Sequence, residues 1–279
     1  MKEISLWGVK IPTDLLRESD KKYLLRLPDN LPTVEWVWSE IDEIWDYYKI
    51  NNKKTLSDQS IAEFYSHPVW LMNGVFTSLD PVSEKHRDLI SQFTSENGFK
   101  FIADYAGGFG ELAIKMANKS PDSTIKIIEP YPSAFGLYRF KGKENIEISD
   151  ALGIDEYDVI IAQDVLEHVE DPVGLAIALT ESVKENGLIV FANCFYPVIK
   201  CHLPKTFHLR YTFRFVMEIY GLKYQGKLPG AEHVLIFKKT DRLSVKKLRV
   251  AEKISQFSGG LINYSRELLS KKIKRKVKL

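Results

Sequence analysis

The stretch that decides the fold is FIADYAGGFGELAIKMA, residues 101–117. A β-prone run ends on an acid, Asp104, a cluster of small residues follows, and apolar residues then return at helical spacing from Glu111. Strand, tight turn and helix in that order let backbone N–H groups come close to a nucleotide-like ligand. Gly108-Phe109-Gly110-Glu111-Leu112-Ala113 fits the GxGxxG/A pattern of dinucleotide-binding turns. Glu129 stands 19 residues beyond Gly110, close to where an acid meets a ribose in such folds.

Outward from this turn, short β-prone runs alternate with helix-length segments. The runs are KFIAD, STIKIIE, NIEIS, YDVIIAQ, GLIVFAN, LKYQGK and EHVLIFKK; the helical segments are GELAIKMANK, PSAFGLYRF, PVGLAIALTESVK and TFRFVMEIY. The alternation predicts an α/β fold with a mostly parallel sheet covered by helices on both faces. The last two runs have no helix between them and predict an antiparallel hairpin at the C-terminal edge. Residues 1–98 read as turns and helices rich in aromatics, with a helix entered after Asp80-Pro81, and are expected to form a helical cap. Residues 99–240 form the ligand-binding α/β domain in this reading, and 241–279 a basic helical extension.

Composition narrows the class. The 279 residues are 44% hydrophobic and 27% charged, as in an ordinary globular protein. A net charge of +2 argues against a nucleic-acid partner. The two cysteines, Cys194 and Cys201, form no CxxC pair and fit a reducing compartment. The N-terminus has no secretory pattern, and no run approaches the roughly 18 apolar residues of a membrane span, so a cytoplasmic protein is expected. The C-terminus, KKIKRKVKL, holds six Lys or Arg in nine residues: Lys271, Lys272, Lys274, Arg275, Lys276 and Lys278. With the apolar spacing of LINYSRELL before it, this tail reads either as a solvated end or as a segment that touches anionic membranes weakly.

Four acids in register across four strands carry a resemblance. Asp104, Ala106, Gly108 and Gly110 match the first motif of class I S-adenosylmethionine-dependent methyltransferases, with Ala106 where glycine is usual. Alanine is tolerated there if its φ is negative. Glu129 in IKIIEPYP matches the second motif, and Asp150 in IEISDAL the third. YDVIIAQDVLEHVEDP, residues 157–172, resembles the fourth-strand segment most closely. The resemblance covers about residues 80–240, and ubiquinone-biosynthesis-like small-molecule methyltransferases are the most similar in motif. It implies a Rossmann-like methyltransferase sheet with S-adenosylmethionine as cofactor. Asp104, Ala106, Gly107, Gly108 and Gly110 would hold the methionine end. Glu129 would accept from both ribose hydroxyls, Asp150 and the Ala151 backbone would meet the adenine, and Gln163 and Asp164 would complete the site.

Methyl transfer needs alignment and often a base. His168, just after the fourth strand, is the first candidate, and His208, in the loop after the fifth, the second. Asp164, Glu167 and His168 stand at i, i+3 and i+4 and would share one face if helical. Ubiquinone-biosynthesis O-methyltransferases carry a similar set that binds a divalent ion, with Glu where this chain has Asp164. The site is nonetheless expected to work without metal, that set being the alternative. Cys194, Cys201 and His202 match no zinc spacing. In FYSHPVWLMNGVF, Tyr65, His67 and Asn73 are expected to meet the acceptor, while Trp70 and Phe76 pack the cap. The acceptor is expected to be a small molecule or a sugar or glycan, methylated on oxygen. The alternatives are an inert methyltransferase-like binding subunit and a nicotinamide-dependent oxidoreductase.

Overall fold

The computed structural model describes residues 2–276, except the side chains of Asp58 and of residues 267–276. The chain opens with a hairpin, β1 (Glu3–Leu6) and β2 (Val9–Pro12). Trp7 and Gly8 between them both have positive φ, the geometry of a two-residue turn that matches strand twist. Helices α1 (Glu18–Leu24), α2 (Val34–Tyr47), α3 (Asp58–Tyr65) and α4 (Val69–Leu79) follow. They close over one apolar cluster that includes Ile11, Val37, Trp45, Phe64 and Met72.

Helix α5 (Pro81–Glu96) starts at the Asp80-Pro81 pair read from the sequence. Asp80 caps it by accepting from the Ser83 N–H at 2.8 Å, and Pro81 sits in the first turn, where its missing N–H costs nothing. Ile90 of α5 is buried with the sheet residues Ile102, Ile125 and Val159. Residues 1–98 therefore divide between a cap and the first helix of the α/β layer.

The layer continues with β3 (Phe101–Tyr105), α6 (Glu111–Lys119), β4 (Thr124–Ile128), α7 (Ala134–Arg139), β5 (Ile146–Ser149), β6 (Tyr157–Gln163), α8 (Pro172–Ser182) and β7 (Val183–Ala192). A 3-10 turn over Pro204–Arg210, α9 (Phe213–Tyr220), β8 (Lys223–Leu228), β9 (Ala231–Lys238) and α10 (Val245–Lys276) complete it. The seven strands run in the order β5-β4-β3-β6-β7-β9-β8. Strands β3 to β7 are parallel, and β9 pairs antiparallel with both β7 and β8. This is the expected sheet with its C-terminal hairpin. Val159, Ile160, Ile161 and Ala162 of β6 are all fully buried, as a central parallel strand covered on both faces requires.

Strand order reverses between β3 and β6, which opens a crevice at their carboxyl ends. No helix among the described residues is long and apolar enough to cross a membrane. Of the basic tail, Lys278 and the side chains of Lys271, Lys272, Lys274, Arg275 and Lys276 lie outside the described residues.

Candidate active site

A cavity of about 940 Å³ lies over that crevice, between the β3–α6 turn, the segment after β4, the end of β6 and the cap. Its floor is the glycine turn. Gly108 and Gly110 have φ of 54° and 72°, left-handed values that glycine adopts without strain. A Cβ at Gly107 would stand 2.7 Å from Asp104 Oδ2, so only glycine lets the turn fold over the acid. Ala106 also has positive φ, 55°, and its N–H donates to the Ile128 carbonyl at 2.7 Å. The sequence reading allowed alanine here at negative φ, or else with a shifted loop. Instead the turn keeps its glycine-like path, and the alanine bears the strain.

Asp104 is 3% exposed, and its Oδ2 has no hydrogen-bond partner. Burial, and next the charge of Glu129, push its carboxyl up to about 7. Glu129 follows β4 and straps the site together: Oε2 accepts from the Gly108 N–H at 2.9 Å and Oε1 from the Tyr131 N–H at 3.0 Å. Each oxygen keeps a second lone-pair direction.

Arg87 was not singled out in the sequence. It projects from α5 into the same cavity at 6% exposure. Its Nη2 donates to the Thr77 carbonyl, its nearest carboxylate, on Glu84, is 3.9 Å away, and its Nε has no partner. Burial lowers its pKa, partly offset by Glu111 and Glu84. Asp104 and Arg87 thus both line the cavity, and each keeps one buried polar atom without a partner.

Gln163 and Asp164 also line it, with Gln163 Nε2 donating to Asp164 Oδ2 at 3.3 Å. Asp150 and Ala151 are exposed beyond β5 and are not among the lining residues; Ala151 is tied to Ser149 Oγ at 3.2 Å. From the cap, Tyr65, His67 and Asn73 reach the cavity, and so does Trp70. The rings of Tyr65 and Tyr131 lie near parallel, with centroids 6.3 Å apart. Phe76 is buried against Trp7 in the cap, as its packing role predicted.

The two histidine candidates separate. His168 lines the cavity, and its Nδ1 is 3.1 Å from the Cys201 carbonyl. That carbonyl can only accept, so Nδ1 carries the proton and Nε2 a lone pair. Burial and the neighbouring His202 push His168 down to about 3. His208 is turned away: it is buried under α10, with Nδ1 2.8 Å from Ser255 Oγ, and does not line the cavity. The loop after β7 winds into the 3-10 turn that carries it to the far side.

The helical metal face is also corrected. Asp164 has φ 53° and a short 3-10 turn spans Leu166–His168, so no α-helical face joins Asp164 to the other two. The donors that converge are Glu167, His168 and His202, with ligand atoms within 4.8 Å of one another. Glu167 is fully buried; Oε1 accepts from the Cys194 N–H at 2.7 Å, while Oε2 is unpartnered. Burial, followed by the charge of Asp164, pushes it up to about 8. His202 holds its Nδ1 2.9 Å from the Tyr196 carbonyl, as His168 does at Cys201. Two imidazoles oriented by carbonyls and one unsatisfied carboxylate are a donor set that suits a divalent ion. Burial raises both thiols, Cys194 to about 11, and neither joins the set.

A seven-stranded sheet, parallel except for an antiparallel strand pair at one edge, with a glycine turn at its switch point, is the arrangement of class I S-adenosylmethionine-dependent methyltransferases. A family model described as a methyltransferase domain matches residues 82–227, more than half of the chain, and the chain belongs to that family. It is 26% identical over 153 residues to a ubiquinone biosynthesis O-methyltransferase of Pectobacterium carotovorum, covering 51% of this chain and 64% of that one. It is 26% identical over 155 residues to the enzyme of the same name in Hydrogenovibrio crunogenus, covering 52% and 64%. The match thus spans somewhat under two thirds of these relatives' length. Among solved structures, an O-methyltransferase family protein from Burkholderia thailandensis is similar over 80% of this chain and 76% of its own, at 13% identity and a TM-score of 0.49.

Proposed function

We propose that this chain transfers the methyl group of S-adenosylmethionine to an oxygen of a small-molecule acceptor. The observation that carries the reading is that Asp104 and Arg87, each with one unpartnered polar atom, line one cavity. A methionine end bears an ammonium and a carboxylate, and this pair complements both. Glu129, already holding the glycine turn, accepts the ribose hydroxyls with its remaining lone pairs. Asp150 and Ala151 would need the β5–β6 loop to move before they could meet an adenine.

When bound, the cofactor supplies an electrophilic methyl on a sulfonium. An acceptor oxygen would attack it in line, with the O–CH3 bond forming as the S–CH3 bond breaks and the electron pair staying on sulfur. The cap's Tyr65, His67, Trp70 and Asn73 orient the acceptor. His168 presents Nε2 to take its proton. Because burial holds His168 far below its ordinary 6.5, it is a weak base. That favours an acceptor whose hydroxyl is already acidic, such as a phenol, over a sugar hydroxyl. The ubiquinone O-methyltransferase relatives and the near-parallel Tyr65 and Tyr131 rings support the same preference.

A second reading rests on the unpartnered Glu167 Oε2: Glu167, His168 and His202 would hold a divalent ion, which would polarise the acceptor oxygen. Labelled methyl donor, offered with panels of phenols and glycans, tests the proposal. Transfer to phenols supports it; transfer to glycans alone overturns the preference, and transfer to neither overturns the activity.

A further inference from the structure

Helix α10 has one face packed and the opposite face bare. Leu248, Ala251 and Ser255 are buried against the body of the protein. A Cβ at Gly259 would stand 2.8 Å from the His208 backbone, so the helix lies directly on the 3-10 turn there. Asn263 Nδ2 donates to the Phe207 carbonyl at 3.0 Å, and the Arg266 guanidinium sits 4.7 Å from the Tyr211 ring centre. The helix is thus held along its length to Arg266.

Val250, Ile254, Phe257, Leu261 and Tyr264 recur at spacings of four, three, four and three, a stripe that 100° per residue puts opposite the packed face. Their exposures are 53%, 61%, 94%, 77% and 64%. Exposed Lys246, Lys247 and Lys253 border the stripe. From Val245 to Leu279 the sequence has 11 Lys or Arg and 2 Asp or Glu, an excess of nine positive charges. The whole chain carries +2, so the remainder carries 2 − 9 = −7. One helix and its extension concentrate the positive charge and a large unpartnered apolar stripe together.

We infer that the outer face of α10 is a docking surface for an anionic lipid bilayer. The apolar stripe enters the boundary between headgroups and acyl chains, and the bordering lysines meet the lipid phosphates. The heptad-like spacing also suits a helix–helix seam with a second copy. Charge decides between the two: pairing two copies brings together two segments that each carry nine excess positive charges, whereas an anionic surface reverses the sign of that interaction. The inference does not depend on the methyl acceptor.

The test is flotation of the full chain with vesicles of phosphatidylcholine, with and without phosphatidylglycerol. Binding is expected only with phosphatidylglycerol and is expected to fade as salt rises. The Phe257→Asp/Leu261→Asp variant, altered at exposed positions, should keep the parent's melting curve and bind at least about tenfold more weakly. Tyr264→Asp serves as the second variant if the first melts early. No binding to phosphatidylglycerol vesicles overturns the inference, and so does unchanged binding in a folded variant. Sedimentation of the lipid-free protein supplies the remaining outcome: a dimer that the same substitutions dissociate would assign the stripe to a second copy instead.

Discussion

Glu129 is the residue whose removal says most about the site. Its carboxylate accepts two backbone N–H bonds, from Gly108 and Tyr131, and so fixes the glycine turn against the segment after β4. Hydrogen bonds to a charged group contribute about 1.5–3 kcal/mol each when shielded, and less at a half-exposed carboxylate such as this one. Glu129→Ala should therefore lower the stability of the free protein by only about 1–2 kcal/mol, leaving it folded. For the cofactor the loss is larger. With the ribose held as proposed, it would lose both acceptors and the glycine turn its strap, a combined cost of about 2–4 kcal/mol, or roughly 30- to 1,000-fold in affinity. Glu129→Gln keeps one acceptor oxygen but turns an NH2 towards one of the two backbone donors, so it should fall between parent and alanine variant. Calorimetric titration with S-adenosylhomocysteine reads the affinity, and a thermal melt reads the fold. A second signature follows from charge. Glu129 helps hold Asp104 up at about 7, so neutralising it should move any Asp104-linked pH dependence of binding to lower pH. An alanine variant that melts normally and binds within twofold of the parent would refute the assignment of Glu129 to the ribose.

Ala106→Gly should stabilise the protein by about 0.5–1 kcal/mol, because relief of the left-handed alanine exceeds the added freedom of the unfolded chain; a lower melting temperature would contradict the strain. Stability should peak near pH 6.5–7. All six histidines sit below their ordinary 6.5, His67 and His208 at about 4 and His168 at about 3, so unfolding takes up protons and stability falls as pH drops below 6.5. Asp104 at about 7 and Glu167 at about 8 hold protons that unfolding releases, so stability also falls as pH rises towards 8. Each net proton is worth about 1.4 kcal/mol per pH unit, and urea midpoints at pH 5, 6.5 and 8 check the shape; a midpoint higher at pH 5 than at 6.5 would contradict it. His168→Ala should lower turnover more than cofactor affinity. Loss of parent activity in chelator would support the divalent ion, full activity would remove it, and unchanged turnover in His168→Ala would remove the base.

The glycine turn, the acid after β4 and the hairpin at the sheet edge were legible because each is written locally: small residues where φ is positive, an acid at a strand end, two β-prone runs without a helix between. The N-terminal hairpin was equally local, since EISL and VKIP flank the Trp7-Gly8 turn, but the aromatic helices beside it dominated the reading. Arg87 was not legible. It is one arginine in an amphipathic helix, and only the docking of α5 against the cavity gives it a buried guanidinium with an unpartnered Nε. The i, i+3, i+4 pattern after β6 misled because spacing assumes a helix, whereas the turn at Asp164 is left-handed. His202 enters the donor cluster through tertiary folding that brings the segment after β7 against the end of β6, which no spacing encodes. His208 fails for the opposite reason: its position after β7 was read correctly, but the 3-10 turn that carries it faces α10.

The most direct measurement is calorimetric titration of the intact protein with S-adenosylhomocysteine, paired with the same titration of Arg87→Met. One site per chain is predicted for the parent, with affinity lowered at least about tenfold in the variant as the methionine carboxylate loses its charged partner. A parent that binds no S-adenosylhomocysteine, or that binds a nicotinamide cofactor in its place, would contradict the account.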